Sequence, residues 1–335
     1  MLPLLFPLYW LYRVGGQIKN LLYGLHVFRT QLAPIPILSV GNISFGGSNK
    51  TPLALNLLTF LKEQGFKPAL ISRGYRGNWE RRGGILSDGK TISGSWQDSG
   101  DEPYMAARSL PAVGVFIGKN RWLSCKKAKN IGFDVAVLDD GFQHRRLKRD
   151  VDIVLFNPVE RVALREPISS LKRAQIVLVE KKHSSALSKR FQKKAQKAHI
   201  FFYSIIHRGF FDRADKEKES HVDDFKEKKI LAFSGIARPD RFFSLLTKLE
   251  IRPCSILKFP DHHPYPHTSV KKIIDTYKTR QADSIITTEK DFVKIEDNRA
   301  FQNIPVFYLK IDLNIDKAFY DTILTSLNTL LTENK

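Results

Sequence analysis

Apolar residues along this chain come in short unbroken runs separated by longer amphipathic stretches. IPILSVGNI, KPALISRGY, DVAVLDD, VDIVLFN and AQIVLVE are runs of the first kind. TPLALNLLTFLKEQG, between the first two, spaces its leucines as a helix would and stops at Gly65. A run that is apolar on both faces suits a strand covered from both sides. Strands that alternate with helices suit the crossovers of a parallel sheet. The expected fold class is therefore α/β, a parallel sheet flanked by helices.

The pattern changes once and then restarts. Ser184 to Lys197 is polar and rich in lysine, and HIFFYSIIHRGFF then reads as one long strand. Arg213 to Lys229 is almost wholly charged or polar, which predicts a surface excursion. KILAFSGIARPDRFFSLL begins a new alternation, followed by CSILKFP, a helix near Val270–Thr279, SIITTEK and VFYLKID. We expect a second, smaller α/β domain, with the boundary between 180 and 205. The division expected is 1–30, 31–195 and 196–335, with HIFFYS and VFYLK as the connecting strands. No internal repeat is visible.

The first thirty residues form a third kind of pattern. Trp10, Val14, Ile18, Leu21, Leu25 and Phe28 recur at three- and four-residue steps, while Arg13, Lys19, His26 and Arg29 fall largely elsewhere. The apolar run is broken by Pro7 and ends at Arg13, short of the ~20 residues that span a bilayer. It lacks the basic start and small-residue cleavage site of a signal peptide. Two readings stay open: a helix lying in a membrane interface, or one docked on the protein's own core.

Composition sharpens the choice of partner. The chain has 335 residues, 42% hydrophobic and 26% charged, which is the balance of a folded globular protein. Its 54 basic residues against 34 acidic ones leave +20, so an anionic partner is expected: nucleic acid, an acidic membrane or a phosphorylated substrate. Cys125 and Cys254 are far apart and form no CxxC pair, which supports neither a disulfide framework nor a zinc site and fits a reducing cytosol.

Two motifs carry chemistry. In GNISFGGSNKTP, Gly46 and Gly47 allow a close backbone approach to phosphate, Lys50 supplies charge, Thr51 a hydroxyl for Mg²⁺, and the following helix its N-terminus. Ser44 and Asn49 stand where G-x-x-x-x-G-K-[ST] has glycines. Asn tolerates left-handed backbone angles, so the loop is expected to keep its shape. DVAVLDDGFQH, an apolar strand ending in Asp139 and Asp140, has the Walker B pattern, in which a carboxylate holds Mg²⁺. Together these predict a P-loop fold that takes ATP and Mg²⁺.

Around them, ISRGYR, GDEPYMAAR, DDGFQHRRLKRDVDIVLFN, LREP, SGIARPDRF, FPDHHPY and TTEKDFVKI occur in an order that resembles the tetraacyldisaccharide 4'-kinases, the lipid A 4'-kinase family. The resemblance covers nearly the whole chain; Asn49, where the family usually has glycine, is its main departure. It implies two α/β/α domains joined by a β-ribbon, with the site in the cleft between them. It also implies transfer of the ATP γ-phosphoryl group to the 4'-hydroxyl of a tetraacyl glucosamine disaccharide 1-phosphate. The place implied is the cytoplasmic face of a bacterial inner membrane, with the enzyme peripheral on an anionic surface. Nucleic acid is not expected as a partner, since no RNP, KH or helix-turn-helix signature is present.

The family pattern then gives roles to residues. Ser48, Asn49, Lys50 and the loop amides would hold phosphates, and Thr51, Asp139 and Glu166 would act on Mg²⁺. Asp101 and His262 would form a carboxylate–imidazole base. Asp140, Gln143 and His144 would organise the metal aspartate, while Arg73, Arg121 and Arg165 would meet phosphate or headgroup. Alternatives remain for several of them. His263 competes with His262, Asp101 and Glu102 also suit a helix start, and Arg73 also suits a loop carbonyl.

Overall fold

Twelve strands hydrogen-bond into one sheet. In chain order they are β1 (Ile37–Asn42), β2 (Pro68–Ser72), β3 (Gly84–Asp88), β4 (Gly114–Ile117), β5 (Val135–Leu138) and β6 (Val151–Phe156). The second six are β7 (Ile176–Glu180), β8 (His199–Asp212), β9 (Ile230–Ser234), β10 (Ser255–Lys258), β11 (Ser284–Thr288) and β12 (Val306–Ile315). The helices are α1 (Phe6–Gly24), α2 (Lys50–Glu63), α3 (Trp79–Arg82), α4 (Trp96–Ser99), α5 (Asp101–Ser109) and α6 (Arg121–Ile131). After them come α7 (Asp223–Lys226), α8 (Pro239–Lys248), α9 (His267–Thr279), α10 (Glu289–Ile295) and α11 (Lys317–Glu333).

This computed structural model describes residues 6–44, 49–159, 164–187, 191, 195–212 and 219–333. Gly46, Gly47 and Ser48 of the phosphate loop lie outside the described residues, as does the side chain of Trp10.

The strand order is β10-β9-β11-β12-β8-β7-β6-β1-β5-β2-β4-β3, a mixed and largely parallel sheet. Its antiparallel pairs are β3 with β4 at one edge and β8 with β12 in the middle. Every residue of β1, β2, β5, β6 and β7 is buried, as unbroken apolar runs require when helices cover both faces. β10 alternates half-buried with exposed positions, in keeping with its place at the other edge.

On one face of the P-loop half, α2 packs Leu53, Leu57, Leu58 and Leu61 against Leu38, Val40 and Val137. Those leucines recur at helical spacing, and burying each contributes roughly 1.5–3 kcal/mol. On the opposite face Cys125 and Ala128 of α6 pack with Ile37, Ile71 and Phe116. Beyond the β8–β12 ribbon, Phe233, Ile273, Ile285 and Phe292 form one core, and Phe210, Phe225, Phe243 and Leu246 another.

Two features differ from the sequence reading. The polar excursion is anchored within its described part: Phe225 is buried and stacks near Phe210 and Phe307. α11 also returns to the first half, where Phe319, Ile323 and Leu327 join the cluster of α2. These three sit at i, i+4 and i+8, so one stripe of the last helix closes a core begun near residue 38.

Candidate active site

Parallel sheets bind ligands beyond the carboxyl ends of their strands. Here β1 runs into the phosphate loop, β5 into Asp139 and Asp140, and β2 into Arg73. Asn49 caps α2 with φ 60° and ψ 25°, the left-handed conformation that glycine supplies elsewhere. Its side chain also donates to the Tyr203 hydroxyl at 3.3 Å, a contact that glycine cannot make. Lys50 opens α2, and its ammonium lies 2.9 Å from Asp140 and 3.4 Å from the Asn42 side-chain oxygen. Thr51 follows on the same turn, half-buried.

The two aspartates have different surroundings. Asp140 sits at φ 48° and is bound by both Lys50 and Arg165, the latter at 3.0 Å. Burial pushes its carboxyl up, but these two cations outweigh that and hold it at about 2. Asp139 is buried, and its Oδ1 has no hydrogen-bond partner among the described residues. Burial first, then the charges of Glu102 and Asp140, push its carboxyl up to about 7. A buried carboxylate whose negative charge is disfavoured in this way fits a hard cation such as Mg²⁺, which would stabilise that charge.

Asp101 and His262 meet although 161 residues separate them. Asp101 begins α5, and His262 lies in the loop after β10 at φ 59°. The imidazole Nδ1 is 2.9 Å from each oxygen of the Asp101 carboxylate. Burial raises that carboxyl, but the His262 bond and the Lys290 and Lys294 charges hold it well below the usual range. His263 points elsewhere: its Nε2 is 2.7 Å from the Ser269 hydroxyl and its ring stacks on Phe259. Geometry thus pairs Asp101 with His262 and not with its neighbour.

A family model described as tetraacyldisaccharide-1-P 4'-kinase, LpxK, matches residues 1–328. The chain belongs to the tetraacyldisaccharide 4'-kinase family. Relatives bearing that name include one from Syntrophus aciditrophicus, 34% identical, with 93% of this chain and 90% of that protein covered. Another, from Chlorobaculum parvum, is 36% identical over 88% of this chain and 84% of its own. The crystal structure of LpxK from Aquifex aeolicus in complex with ATP superposes with a TM-score of 0.77 at 27% identity, covering 96% of this chain and 98% of that one. The chain is therefore a kinase, a transferase of this family.

In this tetraacyldisaccharide 4'-kinase a cleft of about 280 Å³ opens between the end of α1, the start of α6 and the turn after β5. Lys19, Arg73, Lys119, Arg121, Arg145 and Arg146 line it, and among the described residues no carboxylate does. Arg121 is buried, donates to the Asp139 carbonyl at 3.3 Å and leaves its Nε without a partner. Burial, then the charges of Arg121 and Arg149, push the His144 imidazole down to about 3, so it is neutral at physiological pH. Gln143 donates to the Asn42 carbonyl at 2.8 Å, which ties the aspartate turn to β1. Arg73 pairs with Glu80 at 2.6 Å while remaining half exposed.

Glu166 is buried. Its Oε2 accepts from Arg173 at 2.7 Å and from Asn20 of α1 at 2.8 Å. Among the described residues, the one trio of His and carboxylate groups whose ligand atoms lie within 4.8 Å of one another is Asp101, Glu102 and His262. The reading of the sequence gave Glu102, Lys290 and Lys294 no part in the site. The signal was present in TTEKDFVKI, where the two lysines are four residues apart and so share a helical face.

α1 meets the rest of the kinase through polar groups. Asn20 bonds Glu166 and Arg145, and Lys19 donates to the Gln143 carbonyl. Ile18 and Leu21 of its apolar side are exposed, as are Leu25, Val27 and Phe28 just after it, while Val14 is half-buried. The alternative of docking on the protein's own core is therefore not what these side chains do. Among the described residues no helix is long and apolar enough to cross a membrane.

Proposed function

We propose that the chain transfers the γ-phosphoryl group of ATP to the 4'-hydroxyl of a tetraacyl disaccharide 1-phosphate, as a step of lipid A biosynthesis. The observation that carries this reading is the pairing of Asp101 from the P-loop half with His262 from the second half, close to the buried carboxylate of Asp139. Asp139 feels Lys50 of the phosphate loop on one side and Glu102, beside the Asp101–His262 pair, on the other.

Lys50 and the N-terminus of α2 bind the ATP phosphates, and Asp140 keeps the ammonium in place before they arrive. Thr51 and Asp139 would hold Mg²⁺, which when bound neutralises charge on the phosphates. Glu166, whose Oε2 accepts from Arg173 and Asn20, would act on Mg²⁺ alongside Thr51 and Asp139, directly or through water. His262 takes the hydroxyl proton at Nε2, and Asp101 stabilises the resulting imidazolium. The freed oxygen bonds to the γ-phosphorus as the bond to ADP breaks. Arg165 shares Asp140 with Lys50, which supports a role for it on the phosphate side. Arg73, Arg121 and their neighbours in the basic cleft take the substrate's phosphate or headgroup.

The exposed stripe of α1 lies beside that cleft, because Lys19 and Tyr23 line it. On this reading the helix rests in the headgroup region of an anionic membrane, the cytoplasmic face of the inner membrane, and delivers lipid to the basic cleft. The test is transfer of label from [γ-³²P]ATP to the lipid disaccharide in mixed micelles, for the wild type, Lys50→Ala and His262→Asn. Label on the lipid that is abolished by Lys50→Ala and steeply reduced by His262→Asn supports the reading. Wild-type protein that labels no lipid, or Lys50→Ala that labels it normally, overturns it.

A further inference from the structure

The ammonium of Lys290 occupies the space that the Asp101, Glu102 and His262 trio would offer a cation. Its Nζ is 2.8 Å from Glu102, 3.7 Å from Asp261 and 3.9 Å from Asp101. It also lies 3.3 Å from His262 Nε2, the ring nitrogen that Asp101 does not use. Lys290 is not a solvated surface lysine, since its side chain is only 16% exposed. It projects from α10, whereas the carboxylates come from α5 and from the loop after β10.

An ammonium has donors and no acceptor, so its contact with Nε2 requires the lone pair of that nitrogen. The Asp101 bond requires a proton on Nδ1. Together the two contacts define one state of the ring: neutral, protonated at Nδ1, with its basic lone pair directed at Lys290. A carboxylate behind an imidazole favours the doubly protonated ring, which cannot accept a proton; a cation at the front opposes it.

We infer that Lys290 is a positioning residue that holds His262 unprotonated at Nε2 and yields that nitrogen to the acceptor hydroxyl. The inference rests on the reading of His262 as the base. Glu102 already holds the ammonium at 2.8 Å, so release of Nε2 leaves Lys290 paired. The hydroxyl proton then passes to the vacated lone pair. Other groups facing the ring do not replace this charge. Lys294 is 3.6 Å from Asp101 and 3.0 Å from Asp291, Arg76 donates to the Asp261 carbonyl, Asp261 is itself 3.7 Å from Nε2, and Tyr75 offers its ring.

The experiment is ¹⁵N-histidine NMR of the full chain between pH 6 and 8.5, with His262 assigned by subtraction of the His262→Asn spectrum. The wild type is expected to show the neutral Nδ1–H tautomer at pH 7.5. Lys290→Met should show more imidazolium there, and the acid limb of its turnover number should move to higher pH. Lys290→Arg should restore both, with KM for ATP unchanged throughout. An imidazolium or an Nε2–H tautomer in the wild type overturns the inference, as does Lys290→Met with an unmoved ring and acid limb. Should Lys290→Met fail to fold, Lys290→Gln carries the same comparison. Because the NMR measurement needs no transfer, a protein with the expected tautomer and no kinase activity counts against the proposed reaction and leaves the Lys290 assignment standing.

Discussion

Replacing Ile18, Leu21 and Leu25 together by alanine should detach the protein from lipid vesicles without unfolding it. These side chains are 53%, 60% and 63% exposed, so the fold uses less than half of their apolar surface. Each truncation removes about three carbons, worth ~2.4 kcal/mol if the side chain passes wholly from water to hydrocarbon, at ~0.8 kcal/mol per methylene. With roughly six-tenths of each surface still free to be buried, the lipid gain lost is ~1.4 kcal/mol per residue, or ~4 kcal/mol for three. A helix lying in the interface buries one side only, so about half of that, a weakening of tens-fold to a hundredfold, is the expectation. The assay is co-sedimentation with vesicles of zwitterionic lipid containing an anionic fraction, followed across salt and paired with thermal melts. Wild-type binding should weaken with salt, because +20 acts through charges screened over ~8 Å at physiological ionic strength. Binding that is unchanged in the triple variant, alongside a markedly lower melting temperature, would refute the reasoning and mean that the stripe packs on protein.

Three further outcomes follow from particular residues. Asn49→Gly should keep turnover within about tenfold, a barrier change of ~1.4 kcal/mol, whereas Asn49→Val should do worse in both activity and melting temperature, since φ 60° costs a β-branched residue more. Native protein treated with iodoacetamide at pH 8 should lose one thiol, exposed Cys254; buried Cys125, whose thiol burial pushes up to about 12, should react only after denaturation, as read by mass spectrometry. The Asp101 carboxyl is held below its usual 3.8 in the fold, so the stability it supplies is present above that pH and is lost as pH falls through the folded value. The loss of urea resistance between pH 5 and pH 2 should therefore be shallower for Asp101→Asn than for the wild type, and equal slopes would contradict the pairing.

The strands were the most legible part of this sequence, because a doubly covered strand must be apolar throughout and few other elements are. The aspartates after β5 were legible for the same reason, since polar residues ending such a run stand at the sheet's carboxyl edge. His262 could be preferred over His263 only by its place after Asp261, and it is the loop's left-handed turn that separates the two rings. What escaped was long-range pairing of charges. Lys290 and Lys294 read as two more lysines in a basic chain until α10 packs on α5. The partners of Glu166 were likewise set by the fold, which brings Arg173 and Asn20 to its Oε2. Phe225 was hidden by its polar neighbours, although one aromatic ring suffices to pin a segment.

The pairing of β8 with β12 limits how the two halves of the enzyme can move. Their antiparallel ladder runs from Phe307 opposite Asp212 to Ile315 opposite Tyr203, with one irregularity between Leu309 and Ile311. Sliding one strand by a residue would turn Phe210, Tyr308 and Leu309 to the opposite face, so translation along the ribbon is closed to the protein. Twisting breaks no backbone bond, and two-stranded ribbons tolerate more twist than wider sheets. Any change in the gap between Lys50 and His262 is then an angular one, with the ribbon as its axle and the bulge as its most pliant point.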